Sequence, residues 1–186
     1  MVNFINLNKE KKENINIKKP GKYIAYFKNL SGKFTFDLSA SGIDLDIYGL
    51  FVGTKKDQFQ VETIQRHSAP NSTSNLLIKG VFYDESKFIY QGLIRLEKKA
   101  QKSHSYQKNK NIIMSDKCFV DSRPFLEILA NDVFCTHGST TGRLSEDQIY
   151  YLKSRSLSYN AAEKLLIEGF IREIPDKIKQ HGFEID

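Results

Sequence analysis

Cysteine is scarce in this chain. Its 186 residues include only Cys118 and Cys135. That excludes the disulfide framework of a secreted mini-protein, though not a single bridge. Long apolar runs are missing too, and none reaches the length that spans a bilayer. The opening MVNFINLNKEKKEN is too polar for the apolar core of a signal peptide. These absences read as a cytoplasmic protein with reduced thiols. The formal net charge of +6 suits an anionic partner. Its lysines are scattered, however, and the basic residues interleaved with aromatics that mark RNA-recognition motifs are lacking. The charge therefore reads as a solvated surface, not a nucleic-acid footprint. Hydrophobic residues at 40% and charged residues at 27% are ordinary for a globular chain that can bury a real core.

What is present is mostly β. Residues 1–20 are rich in Lys, Asn and Glu and end at Pro20-Gly21, which suggests a loose or weakly paired arm. Short β-like runs follow: KYIAYF (22–27), KFTFDL (33–38), IDLDIYGLFV (43–52), DQFQVETIQRH (57–67), SNLLIKGVFY (74–83), KFIYQGLIRLE (87–97), KNIIMS (110–115), PFLEILA (124–130) and DVFCTH (132–137). In the fourth, Phe59, Val61, Thr63 and Gln65 share one face. No helical period of useful length precedes residue 145. Sandwich, barrel and parallel β-helix all remain open. Two details favour the last. Asn-Gly and Asp-Gly hairpin signals are missing, and Gly49, Gly80, Gly92 and Gly138 fall in or beside apolar runs, where a backbone must bend or approach closely. APNSTS (69–74) and KNKN (108–111) suit solenoid corners. A solenoid should show a repeat, and no strict one is visible.

At Ser145 the pattern turns helical. Ser145 stands three residues before Gln148 in a capping box, with Glu146 and Asp147 in the first turn to suit the helix dipole. A second helix is expected near Asn160, with Ala162, Leu165, Leu166, Gly169, Phe170 and Ile174 as its apolar stripe. Pro175 should kink or break it, and DKIKQHG should add a final turn ended by Gly182. The division is then a β core over 1–144 and a helical region over 145–186.

Few residues offer chemistry. Cys135 and His137 are two apart on a strand that runs into a Gly/Ser/Thr turn, so both side chains share a face. Thiolate and imidazole suit iron or an iron–sulfur cluster, but two donors supply only half of a four-coordinate shell. Cys118 reads as a small apolar filler, and His67 and His104 as structural or solvent-facing groups at rung corners. Asn109 and Asn111 read as satisfying backbone at a corner, and Gly138 and Gly142 as permitting the turn out of the last rung. GSTTG lacks the Lys and the spacing of a phosphate loop. No catalytic triad can be assembled, so no catalytic residue is assigned.

Several segments, in order, resemble the SufB/SufD scaffold proteins of the SUF iron–sulfur cluster assembly system. They are HSAPNSTSNLLIKGVFYDESKFIYQGLIRLEKKAQKS (67–103), QKNKNIIMS (107–115), PFLEILANDVFCTHGSTTGRLSEDQIYYLKSRSLS (124–158) and AAEKLLIEGF (161–170). The resemblance implies a right-handed parallel β-helix with a C-terminal helical subdomain. It also implies pairing through the β-helices, as one SufB with one SufD, and docking of the helical region on the ABC-type ATPase SufC. Asn109 stands where SufB-type chains carry a cysteine, and Gly138 where they carry a glutamate, so the resemblance is to SufD. Usual members are more than twice as long, with an N-terminal helical region, which leaves homodimer and SufB-like partner both open. The resemblance makes Cys135 and His137 candidates for iron or a nascent cluster held transiently at a subunit seam, with no tightly bound cofactor. Tyr150, Tyr151 and Arg155 are candidate ATPase contacts.

Three readings compete. The first is a non-catalytic scaffold of cluster assembly. The second is a dimeric β-helix interaction module without metal function. The third, a β-helix carbohydrate-active enzyme, needs clustered carboxylates, and the acidic residues here are dispersed.

Overall fold

Alternation decides most of the architecture. A strand sends every second side chain to one face, so KFTFDL buries Phe34, Phe36 and Leu38 together. The computed structural model describes residues 2–185. Its strands are β1 (Val2–Asn6), β2 (Asn14–Ile17), β3 (Gly21–Lys28), β4 (Gly32–Leu38), β5 (Ile43–Gly53), β6 (Gln58–His67), β7 (Thr73–Phe82), β8 (Lys87–Leu96), β9 (Ser103–Ile113), β10 (Phe119–Ile128) and β11 (Val133–Gly142). Helix α1 (Leu7–Glu10) lies between β1 and β2, and α2 (Glu146–Ser154) and α3 (Tyr159–Lys179) follow the strands.

Odd strands form one sheet, in the order β1-β3-β5-β7-β9-β11, and even strands the other, in the order β10-β8-β6-β4-β2. Every pairing is parallel. The chain climbs by alternating between the two, which makes a parallel β-solenoid followed by helices. Its repeat is hidden because the rungs differ in length. Val2 lies opposite Lys22, 20 residues on. Asp44 lies opposite Thr73, 29 on, and Thr73 opposite His104, 31 on.

The corners carry the regularity instead. Asn29, Lys55 and Asp84 on one side, and Asn71 and Lys102 on the other, all have φ between 51° and 56°. An L-residue with a Cβ pays about 1–2 kcal/mol for that left-handed conformation. Lys102→Gly is therefore expected to raise stability by up to about 1 kcal/mol once glycine's greater unfolded entropy is deducted. The urea midpoint of the variant checks it.

The inner faces of the early rungs are dry. Phe27, Phe36, Leu45, Ile47, Phe51, Phe82 and Phe88 are wholly buried. Phe88 packs on Phe51 and Phe82 with ring centroids 4.8 and 4.9 Å away. Each such side chain contributes about 1.5–3 kcal/mol. Gly49 is small because a Cβ there would lie 2.7 Å from the Phe27 ring and 2.9 Å from Ile78.

Helix α3 lies across the outside of the odd-strand sheet. Ile174 and Ile178 pack on Ile24, Tyr26, Tyr48, Leu50 and Leu77, while Ile167 packs on Val81 and Ile112. Beyond the helix, Phe183 stacks on Phe4 of β1 at 4.8 Å.

The structure corrects several expectations. The N-terminal arm is not loose: β1 and β2 join the two sheets, and Leu7, Ile15 and Ile17 enter the core. KNKN is mid-strand rather than a corner, and Asn109 and Asn111 point into the core and bond to each other, at 2.7 Å for Asn111 Nδ2 donating to Asn109 Oδ1. GSTTG is strand, not turn, because pairing with β9 carries β11 to Gly142 opposite Ile112. Gly138 and Gly142 therefore make no turn. Pro175 does not break α3, since the buried Ile174 and Ile178 offset its cost of roughly 3 kcal/mol. The buried stripe of α3 is also rotated from the expected one: Leu165 and Gly169 are exposed, and Ile167 and Ile178 are inside.

Candidate functional site

The last rung is open. Strands β10 and β11 each pair on one side only, so the inward columns of both sheets end at a mouth. Cys135 continues the column Leu45–Ser74–Ser105, and His137 continues Ile47–Leu76–Gln107. The two candidate donors thus share one face, as their spacing implied, and the structure turns that face inward. Cys135 is half-buried against Ile94, Leu96 and Ala100. Burial pushes its thiol up to about 11, so at neutral pH it is a protonated thiol that must lose a proton before binding a metal. His137 is exposed at the mouth. Among the described residues no three His, Cys, Asp or Glu side chains are placed to hold a metal ion together.

On the opposite sheet the mouth is apolar. Leu126 and Ile128 end the columns above Ile94 and Leu96 and remain 40% and 42% exposed. On the outer faces of the last strands Phe119 and Phe125 of β10 and Phe134 of β11 add exposed apolar surface, as does Leu129 just past β10. Pro124 is tolerated in β10 because that strand is the sheet's edge.

Helix α2 forms a projection. Ser145 caps it, its side chain accepting from the Gln148 amide at 3.4 Å. Ile149 anchors it, while Tyr150 and Tyr151 are 76% and 57% exposed. The Arg155 guanidinium lies 5.5 Å from the Tyr151 ring centroid. The three candidate contact residues are thus gathered on one exposed element.

Two features were not found from sequence. The first is Lys79, on the outer face of β7. It is buried beneath α3, donates to the Phe170 carbonyl at 2.6 Å, lies 4.3 Å over the Phe170 ring and pairs with Glu173. The second is a polar interior in the later rungs. His67 Nε2 bonds Ser74 Oγ at 2.8 Å, and Ser74 Oγ bonds Ser105 Oγ at 2.8 Å. Thr63 meets the Tyr90 hydroxyl at 2.8 Å, and Gln107 donates to the Gly92 carbonyl at 3.3 Å. A signal existed, since Thr63, Gln65 and His67 alternate in step, as do Ser103, Ser105, Gln107, Asn109 and Asn111. His67 is wholly buried, which removes the solvent-facing reading. His104 does face out, with its ring centroid 6.1 Å from that of Phe134. Cys118 packs half-buried against the core cluster.

Residues 26–170 match the family described as SUF system FeS cluster assembly, SufBD core domain. The match starts well before residue 67, where the resemblance becomes legible by eye. The chain is 31% identical to the iron-sulfur cluster assembly protein SufD of Escherichia coli over 147 residues, covering 79% of this chain and 35% of that protein. It is 30% identical to SufD of Bacillus subtilis over 130 residues, covering 70% and 29%. A SufBD family protein of Synechocystis is 34% identical over 109 residues, covering 59% and 24%. The chain thus spans about a third or less of the length of these relatives. With most of its length inside the matched domain and its strands wound into a parallel solenoid, this chain belongs to the SufBD core family.

Proposed function

We propose that this chain is a SufD-type, non-catalytic scaffold subunit of a cytoplasmic SUF iron–sulfur cluster assembly complex. It pairs through the mouth of its solenoid with a SufB-like subunit or a second copy. It docks a SufC-like ABC ATPase with Tyr150, Tyr151 and Arg155. Iron or a nascent cluster is cargo, met transiently by His137 and Cys135 at the seam. The observation that carries this reading is the open last rung, where one imidazole and one thiol end adjacent inward columns beside an exposed apolar rim. An incomplete donor set suits cargo that must leave again, and apolar exposure suits a covering partner.

The test is anaerobic co-expression of the tagged chain with a SufC-like ATPase and a SufB-like subunit, followed by complex mass and iron and sulfide analysis. Co-elution with iron and sulfide supports the reading; elution of the chain alone defeats it. Tyr150→Asp with Tyr151→Asp is expected to weaken ATPase capture by about tenfold or more, as for interface aromatics generally. Lys153→Ala should leave capture unchanged. Equal capture by all three proteins would remove α2 from the interface.

A second reading, the interaction module without metal function, is favoured by the thiol that burial keeps protonated. Unchanged cluster assembly by His137→Ala with Cys135→Ser would select it.

A further inference from the structure

The solenoid interior changes chemistry along its axis. Follow five inward columns from early rungs to late ones. Phe34 is succeeded by Thr63 and then Gly92, Phe36 by Gln65 and then Ile94, and Leu38 by His67 and then Leu96. On the facing sheet Leu45 is succeeded by Ser74 and Ser105, and Leu76 by Gln107. Rings and branched chains give way to polar groups, which introduces hydrogen-bonding atoms at one level of the interior, before Ile94 and Leu96 make the β8 level apolar again. Thr63, Gln65, His67, Ser74, Ser105 and Gln107 are all at least 98% buried.

Some of those atoms lack partners. Both amide atoms of Gln65, Nδ1 of His67 and Oε1 of Gln107 have no hydrogen-bond partner among the described residues. The four belong to one cluster. Gln65 and His67 are successive inward residues of β6, Ser105 and Gln107 are successive inward residues of β9, and the His67–Ser74–Ser105 bonds join the two strands. Leaving such groups unmet costs about 1–3 kcal/mol each. Flipping the Gln107 amide only exchanges which of its two atoms is unmet, because its Nε2 already donates to the Gly92 carbonyl.

We propose that this stretch of the interior is a binding site for a short file of water molecules, held by Gln65, His67 and Gln107. A guest here must both donate and accept, since Gln65 Nε2 offers a proton while Gln65 Oε1 and Gln107 Oε1 require one. It must also be neutral, because among the described residues no carboxylate, ammonium or guanidinium faces inward from the neighbouring β6, β7, β8 or β9 positions. An unpaired ion in such surroundings is far too costly. Four unmet atoms and about three bonds per buried water call for about two molecules. Ser105 and Gln107 lie directly beneath Cys135 and His137, while on the facing sheet the wholly buried Ile94 and Leu96 separate Gln65 and His67 from the mouth.

The experiment uses the full wild-type chain. A crystal structure fine enough to show ordered solvent should place water within hydrogen-bond distance of Gln65, of His67 Nδ1 and of Gln107 Oε1. Oxygen-17 relaxation dispersion should count about two long-lived waters per chain. In Gln65→Leu with Gln107→Met that count should fall to near zero. Direct Gln65–His67 or Gln65–Gln107 contact in the wild-type crystal, with no long-lived water in dispersion, overturns the proposal. Both wild-type measurements decide it even where the double variant fails to fold. Neither depends on partners, so cluster assembly stands or falls separately.

Discussion

Lowering the pH from 6.5 to 4 is expected to remove about 3 kcal/mol of stability through His67 alone. Burial pushes this imidazole down to about 4 from its ordinary 6.5. Each tenfold loss of proton affinity corresponds to about 1.4 kcal/mol. Between those values the unfolded chain binds a proton that the folded chain refuses, so stability falls with acid. The contribution is intact above 6.5 and is fully lost once the pH has dropped through the folded value. Among the described residues the inward neighbours are Gln65, Ser74, Leu38 and Leu96, none of which titrates to oppose this. Wild type and His67→Gln should be unfolded in urea across that range. The loss should be about 3 kcal/mol steeper in wild type. Parallel curves would mean that His67 accepts a proton without unfolding, and that the interior is open to bulk solvent.

The second large effect concerns the strap formed by α3. Glu173→Gln is expected to cost about 2–3 kcal/mol, whereas Lys79→Met should cost less than about 1 kcal/mol. The asymmetry follows from burial. The Lys79 side chain is 3% exposed and that of Glu173 is 39% exposed. Removing the carboxylate strands a buried ammonium, while removing the ammonium leaves a carboxylate that water can solvate. The usual 3–5 kcal/mol for breaking a buried pair is reduced here because Glu173 already meets solvent. Desolvation pushes the Lys79 ammonium below its ordinary value, and Glu173 pulls it back. Partial burial raises the Glu173 carboxyl, but Lys79 outweighs that and holds it below the usual range. This pairing therefore contributes at neutral pH and is lost as acid protonates the carboxylate. Urea midpoints measure both variants, and proteolysis of the C-terminal segment should accelerate in Glu173→Gln. Equal costs for the two would show that Phe170 alone holds Lys79.

Much of this protein was determined by its sequence. Period-two alternation in KFTFDL and DQFQVETIQRH set strands and faces, because a strand has no other place for successive side chains. Ser145 and Gln148 set the start of α2 through a local hydrogen bond. That Cys135 and His137 share a face followed from their spacing, while the inward direction of that face came from the pairing of β11 on β9. Tertiary structure decided the rest. Rungs of 20 to 32 residues concealed the repeat, since only pairing between distant strands defines a rung. KNKN looked like a corner because its residues are polar, and only the pairing of β9 with β7 and the bonds to Ser74 and Gly92 reveal this strand as interior. Lys79 looked like one solvated lysine among many until α3 folded over it, 91 residues away along the chain. Local patterns report what each segment prefers. Burial of a charge, or the end of a column, depends on which distant segment comes to cover it, and no window of neighbouring residues contains that information.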